Sequence, residues 1–228
     1  MKNIQIFFLL LSFSVFSQTA FDKAEKLYAQ KKNKEAEILF SEFLRLQPNH
    51  TKTIEYLGDI AGNQKKWDDA ILNYKKLKTS FPRNANYWYK FGGALGMKAK
   101  ESNKFKALGM IDEVEESFLT AAKLDAKHVE SRWALVMLYI ELPAVIGGSE
   151  KKAQKYADEL MVLSKVEGYL AKGYIDVYFS RYTKAEIQYE KAHEMGNSKI
   201  TFDTLYDLYL NKLKDKAKAN KLKEQFEK

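Results

Sequence analysis

A pattern that returns every 34 residues limits what this 228-residue chain can fold into. Three residues of one segment recur in the next segment at the same offset: Ala36, Phe40 and Pro48 return as Ala70, Tyr74 and Pro82. The apolar residues between them follow helical spacing, so each period predicts a pair of helices. A fixed period of this length is typical of stacked repeats, because a single unit buries too little apolar surface to be stable alone.

The second unit shows most clearly why each position holds its type of residue. Gly58 and Ala70 are small, which lets two helices cross closely, and Tyr74 is large enough to fill the adjoining hole. Pro82 ends the second helix. This pattern resembles the tetratricopeptide repeat (TPR). The resemblance implies an all-α fold, an α-solenoid of stacked antiparallel helix pairs forming a TPR superhelix of about twelve helices.

The resemblance covers almost all of residues 19–228 and is strongest in the second and fifth units, and we expect residues 18–228 to form one domain. The predicted repeats are 19–50, 51–84, 85–128, 129–165 and 166–198, and two capping helices follow in 199–228. The third repeat carries an insertion within residues 98–110, because its second helix begins ten residues later than the 34-residue period predicts. Because this insertion lacks proline, it predicts two lengthened helices that project beyond the stack, and an ordered bend is the alternative.

The fourth repeat carries a second insertion, from Leu142 to Glu150. Its glycines precede a serine, as in a phosphate-binding loop, but the lysine and the preceding buried strand of such a loop are missing. The structural interpretation is that Pro143 ends one helix, Gly147 and Gly148 form the turn, and Ser149 caps the next helix. A loop that contacts a partner is the alternative.

Residues 1–17 differ from the rest of the chain. Lys2 precedes an apolar run from Ile4 to Phe16, and Val15 and Ser17 are small, which predicts a signal peptide cleaved before Gln18. A retained membrane anchor is the alternative, although the run is shorter than the roughly 20 residues that a spanning helix needs. We therefore expect an exported protein, periplasmic or secreted and soluble. It is not expected to be a lipoprotein, because the chain has no cysteine.

The charge of the chain bears on its partners. The formal net charge is +8, but the charges are interspersed along helices, and export makes nucleic acid an improbable partner, so none is expected. Lysines concentrate at the C-terminus, where the alternatives are a solvated capping helix and a patch that contacts an acidic partner or a membrane surface. The lysines in question are Lys212, Lys214, Lys216, Lys218, Lys221, Lys223 and Lys228.

The sequence offers no arrangement that favours catalysis, so we expect no enzyme. The three histidines are far apart, and His50 and His128 hold the same place in their repeats, which indicates a structural turn position. Without cysteine there is no thiolate zinc site, and no carboxylate pair stands out. No metal, cofactor or small-molecule substrate is therefore predicted.

In the TPR fold the first helices line a concave face, and the resemblance places a peptide-binding groove there. The residues carried over to this face include Lys52, Glu55, Asp59, Gly93, Met97, Glu130 and Leu170, and the candidate groove residues are Asn86, Tyr89, Trp133, Met137, Tyr174 and Tyr178. Lysines and asparagines that grip a peptide carboxylate in chaperone-binding repeats are absent from the matching positions. For the aromatic residues the alternative is packing between repeats. If the register of the repeat is wrong by one residue, a side chain assigned to the groove lies in the core instead.

These patterns favour a non-catalytic scaffold or adaptor of the cell envelope that binds a protein or peptide segment in its concave groove. The alternative is a structural assembly factor that docks to an envelope complex. It would use the insertion at 98–110 and the basic C-terminus. Both hypotheses require the same fold and differ in the surface that binds.

Overall fold

A computed structural model describes residues 19–226 of the chain. The signal peptide predicted for residues 1–17 lies outside the described residues. Within 19–226 the chain forms twelve α-helices and no strand, so the predicted all-α repeat solenoid of about twelve helices is confirmed. The chain divides into two compact units, of which one ends at Val114 and the other begins at Glu115, within the helix Lys104–Leu124.

The helices follow one another with short connections. Their bounds are 19–29 for α1, Asn33–Leu46 for α2, Thr51–Asn63 for α3, Trp67–Ser80 for α4, Ala85–Glu101 for α5, Lys104–Leu124 for α6, Val129–Glu141 for α7, Glu150–Leu163 for α8, Lys165–Tyr178 for α9, Tyr182–Gly196 for α10, Lys199–Asp207 for α11 and Lys216–Phe226 for α12. A 3₁₀ turn at Ala144–Ile146 precedes α8, and a π-helical turn at Leu208–Lys212 follows α11. The odd-numbered helices α1 to α9 are the first helices of the five predicted repeats.

Small residues mark the closest crossings in both units. A Cβ atom on Gly58 would lie 2.6 Å from the ring of Tyr74, and Ala70, on the same helix as that tyrosine, is fully buried. In the second unit Ala153, Ala157 and Ala185 are likewise fully buried. The small-residue positions read from the repeat therefore do lie at helix crossings, where a larger side chain has no room.

Two histidines begin first helices. The Nδ1 atom of His50 accepts a hydrogen bond from the backbone N–H of Thr53 at 3.3 Å, and that of His128 accepts from Ser131 at 3.1 Å. Each ring satisfies one of the backbone donors that a helix start leaves unpaired. The structural role predicted for these two histidines is confirmed.

The insertion at 98–110 lengthens two helices. Helix α5 has 17 residues and α6 has 21, compared with 13 in α3 and 14 in α4. Only Ser102 and Asn103 separate them, and the Asn103 side chain accepts a hydrogen bond from the Lys106 N–H at 3.0 Å. The prediction of lengthened helices is confirmed, and the ordered bend is wrong.

The insertion at 142–150 is a capped turn, as the structural interpretation predicted. Helix α7 ends at Glu141, before Pro143, and Gly147 adopts a left-handed backbone with φ of 102°. A Cβ atom on Gly148 would lie 1.8 Å from the carbonyl oxygen of Leu142, so only glycine fits there. The Ser149 hydroxyl accepts from the Lys152 N–H at 3.2 Å and caps α8.

Helices α11 and α12 cover the end of the second unit. Leu205 and Leu208 are buried with Ala219 and Leu222 of α12 in one apolar cluster that also contains Tyr189 of α10. The lysines of α12 lie on its other side, where Lys216 and Lys221 are exposed. This helix therefore buries its small and apolar side chains and leaves its basic face to solvent, as expected of the end of a repeat stack.

Candidate peptide-binding surface

Four of the predicted groove residues lie on the first helices of the second unit. Trp133 and Met137 are four residues apart on α7, and Tyr174 and Tyr178 are four residues apart on α9. Residues at that spacing share a helix face, and α7 and α9 are in contact. We call these four residues the aromatic surface. Met137 is 39% exposed and Tyr178 is 49% exposed.

Hydrogen bonds fix the two central rings of the aromatic surface. The Trp133 and Tyr174 ring centroids are 6.3 Å apart in an edge-to-face arrangement. The Trp133 Nε1–H donates to Glu167 Oε2 at 2.6 Å, and the Tyr174 hydroxyl donates to Glu141 Oε1 at 3.0 Å. Burial raises the pKa of the Tyr174 phenol, and the negative charge of Glu141 raises it further, so the hydroxyl stays a neutral donor.

The C-terminal end of α9 extends the aromatic surface with a residue that the sequence did not indicate. Phe179 is 42% exposed, and its ring centroid lies 5.3 Å from that of Tyr178. The Arg181 guanidinium lies over the Phe179 ring at 4.9 Å. Phe179 follows the last residue of α9, so helical periodicity did not assign it to a face.

Leu170 does not belong to this surface. Its side chain is 6% exposed and packs in the core cluster with Ala185 and Tyr189 of α10. The expectation that Leu170 lies on the open face is therefore wrong, because the crossing of α9 with α10 covers that position. Trp133, for which core packing was the alternative, is half-buried and packs against the same cluster.

The other two groove candidates, Asn86 and Tyr89, lie on α5 in the first unit, and both are half-buried. The Asn86 amide donates to Glu55 Oε1 at 3.4 Å. Gly93, one turn after Tyr89, has no heavy atom within 4 Å of the place a Cβ would take, so this face of α5 is open there. Because these residues and the aromatic surface belong to different units, a single groove through all six stays a prediction.

An ionic cluster on the first helices of the first unit was not predicted. The Lys90 ammonium donates to Glu55 Oε1 at 2.6 Å and to Asp59 Oδ1 at 2.7 Å, and the Tyr74 hydroxyl donates to Asp59 at 2.6 Å. Burial lowers the pKa of Lys90, but the hydrogen bonds to Asp59 and Glu55 outweigh it and raise the pKa overall. The sequence could have indicated these ion pairs, because Lys90 lies 35 and 31 residues from the two acids, which is close to one repeat.

A similar contact joins α1 and α3. Tyr56 donates its hydroxyl hydrogen to Glu25 at 2.8 Å, and the Lys52 ammonium lies 3.0 Å from the same carboxylate. On this side of the first unit, acids of one first helix are therefore paired with donors of the next. The result is a polar face, in contrast to the aromatic surface of the second unit.

The described residues contain no group of three or more histidine and carboxylate side chains arranged to hold a metal ion. Over the same range, no helix is both long and apolar enough to cross a membrane. His193 lies against the rings of Phe202 and Phe226, and burial lowers its pKa.

No protein-family model and no curated protein matches the sequence. Solved structures do match the fold of the chain. A thermophilic TPR protein of Thermus thermophilus matches with a TM-score of 0.66 and 18% identity over 87% of this chain and 97% of its own. YrrB, a TPR protein with an unusual peptide-binding site, matches with a TM-score of 0.53 and 14% identity over 80% of this chain and 87% of its own.

Human IFIT1, in a dimer with m7Gppp-AAAA, matches with a TM-score of 0.67 and 20% identity over 88% of this chain and 48% of its own. At these identities the likeness concerns the fold alone. With the repeat pattern and its packing, the comparisons lead to one conclusion. The chain has the tetratricopeptide-repeat fold.

Proposed function

We propose that this protein is a non-catalytic scaffold that binds a peptide or protein segment through the first helices of its repeats. TPR-fold proteins support a protein-interaction role in general, and YrrB is described as having a peptide-binding site. The observation that carries the proposal is the aromatic surface, on which Trp133 and Tyr174 lie edge to face beside the exposed Met137 and Tyr178.

The aromatic surface has the physical properties of a binding site for apolar side chains. Aromatic residues commonly contribute about 2 kcal/mol or more each at an interface, because they bury a large area at a small cost in conformational entropy. The hydrogen bonds to Glu167 and Glu141 hold the Trp133 and Tyr174 rings before a ligand arrives, which lowers the cost of ordering them on binding. Met137 is flexible and adapts to different ligand shapes.

The charges beside these rings favour a polypeptide over a nucleic acid. Glu141 and Glu167 contact the two central rings, and their carboxylates would repel phosphate groups that approached the aromatic surface. A peptide with one or two apolar anchors meets no such barrier. Asn86 and Tyr89 are assigned to the same function in the first unit, where the polar face beside them suits polar groups of a bound segment.

The test is selection of binding peptides from a random 15-residue peptide display library, followed by affinity measurements on the selected peptides. The double variant Trp133→Ala, Tyr174→Ala should weaken binding at least tenfold. Phe81→Ala is the control, because Phe81 is an exposed aromatic residue at the end of a second helix. If no peptide is selected, or if the double variant binds the selected peptides as tightly as the wild type and the Phe81→Ala control do, the proposal is wrong.

The proposal includes export through residues 1–17, supported by their sequence pattern alone. N-terminal sequencing of the protein recovered from its own cells should begin at or within two residues of Gln18. Recovery of an intact chain starting at Met1 in the cytoplasmic fraction would contradict export.

The second candidate function is an assembly factor that docks through the 98–110 hairpin and the basic C-terminus. The exposure of Phe105, which is 88%, favours a contact at the hairpin. Deletion of residues 99–109 should abolish recovery of partners from an envelope extract if this function is correct, whereas the double variant of the aromatic surface should do so if the first one is.

A further inference from the structure

The lengthened hairpin of α5 and α6 presents an apolar side chain that has no role in the fold. Phe105 is 88% exposed and Leu108 is 45% exposed, and they share a face in the first turns of α6. At 1.5 Å per residue, the additional length relative to α3 and α4 is about 6 Å for α5 and about 10 Å for α6. Single exposed apolar side chains are common on protein surfaces, so a contact at Phe105 has to be inferred from what surrounds it.

The same tip is basic. Residues 98–110 contain Lys98, Lys100, Lys104 and Lys106 against the single acid Glu101, a net charge of +3. Lys98 is paired with Asp68, and Glu101 accepts a hydrogen bond from the Trp67 indole at 2.8 Å. Lys104 and Lys106 are exposed on either side of Phe105 in sequence. The tip therefore combines one protruding ring with two flanking cations.

We propose that this tip, residues 98–110, docks on a membrane surface that carries anionic lipid headgroups. Phe105 would insert at the boundary between headgroups and acyl chains, and Lys104 and Lys106 would contact the lipid phosphates. An aromatic residue flanked by lysines is suited to this boundary, where one side is apolar and the other is charged and wet.

The size of the tip favours a lipid surface over a folded protein partner. Phe105 and Leu108 supply at most about 300 Å² of apolar surface, well below the roughly 800 Å² that each partner buries in a standard protein interface. The position of Gly109 has no heavy atom within 4 Å of where its Cβ would lie, so α6 is open to solvent next to Leu108. A lipid surface accepts a protruding ring without a complementary shape.

This inference concerns a different surface from the proposed peptide-binding function and does not depend on it. It is an alternative to the second candidate function, which assigns the same hairpin to a protein complex. The tip of α5 and α6 and the aromatic surface on α7 and α9 share no residue. The two functions are therefore separable by mutation.

The experiment is co-sedimentation of the chain from Gln18 to Lys228, which contains every described helix, with vesicles of phosphatidylcholine alone or with 30% phosphatidylglycerol. We expect binding only to the anionic vesicles, decreasing with added salt. Phe105→Ala should weaken the partition about tenfold, and Lys104→Glu with Lys106→Glu should weaken it at least tenfold. Circular dichroism should show wild-type helix content in each variant, since the substituted side chains are exposed.

Two matched controls accompany these variants. Val162→Ala removes an apolar side chain of 86% exposure from α8. Lys216→Glu with Lys221→Glu makes the same change of net charge on α12, where a membrane contact of the C-terminal lysines would be detected. Both controls should bind vesicles like the wild type.

Three results would overturn the inference: no binding of the wild type to anionic vesicles, unchanged binding of the Phe105 and Lys104/Lys106 variants, or an equal loss in the Lys216/Lys221 variant. Retention on immobilised polyglutamate that the tip variants abolish, without any vesicle binding, would assign the tip to an acidic protein instead.

Discussion

The ring of Tyr189 occupies the space that a side chain at position 173 would need: a Cβ atom on Gly173 would lie 2.2 Å from Tyr189 Cε1. Gly58 and Tyr74 repeat this relationship in the first unit, at 2.6 Å. In each case a tyrosine of the second helix lies against the backbone of the first helix of the same pair. The close approach of the two helices depends on the missing side chain.

Gly173→Ala should therefore destabilise the fold. The Tyr189 ring is 5% exposed and would have to shift to admit a methyl group, so we expect the free energy of unfolding to fall by about 1 to 3 kcal/mol. Urea unfolding followed by circular dichroism measures the change. Gly93→Ala is the matched control, because Gly93 is also helical but has open space where a Cβ would lie. The free energy of unfolding of this variant should rise by up to about 1 kcal/mol. Equal stability of the two variants would contradict the packing role of Gly173.

A second prediction concerns the histidine caps. His128→Ala removes the acceptor of the Ser131 N–H at the start of α7 and should cost about 1 kcal/mol of unfolding free energy. His128→Asn supplies another capping oxygen and should stay within about 0.5 kcal/mol of the wild type. Thermal unfolding of the three proteins at one pH distinguishes a cap from a side chain that only fills space, since in the second case both variants would lose stability alike.

A third prediction concerns the ionic cluster of the first unit. Lys90→Met leaves the half-buried Glu55 and Asp59 carboxylates without their cation and should lower the free energy of unfolding by about 1 to 3 kcal/mol. Lys66→Met is the control, because Lys66 pairs with Glu37 while its side chain is 48% exposed, and its loss should cost less than about 0.5 kcal/mol. Adding Glu55→Gln and Asp59→Asn to the Lys90 variant should restore part of the loss. Without such recovery, the lost stability would have to come from packing alone.

The fourth prediction is a pH dependence at the C-terminal end. Burial lowers the pKa of His193 below its ordinary value of 6.5, so the unfolded chain binds this proton more readily than the folded one. The contribution of the neutral ring to stability is complete above about pH 6.5 and decreases as the pH falls towards the lowered native pKa. The urea midpoint of the wild type should therefore fall between pH 7.5 and pH 5.0 by more than that of His193→Gln. The same fall in both proteins would exclude His193 as its source.

Several features could be predicted from the sequence because they depend on neighbours along the chain. The positions of Gly58, Ala70 and Gly173 follow from a period of 34 residues, since each repeat meets the same partner helix in the same way. The turn from Pro143 to Ser149 is equally local, because its glycines and its cap act within a few residues. The lengthened helices α5 and α6 followed from ten additional residues without proline.

Other features depend on side chains that approach from distant parts of the chain. Helical spacing put Leu170 on the same face as Tyr174, but only the packing of α9 against α10 decides that the leucine is covered and that Tyr174 stays half-exposed. Lys90 is one of many lysines in the sequence, and its pairing with Glu55 and Asp59 exists because two first helices lie side by side.

By itself, the sequence determined the repeat, the helix pairs and the small residues at their crossings, because these follow from periodicity and side-chain size. The tertiary structure alone decided which residues at the edge of each helix face are buried, which charges are paired, and that Phe105 stands in solvent at the end of a hairpin. The physical reason is that a helix turns about 100° per residue, so a boundary position is exposed or covered according to how closely the next helix approaches.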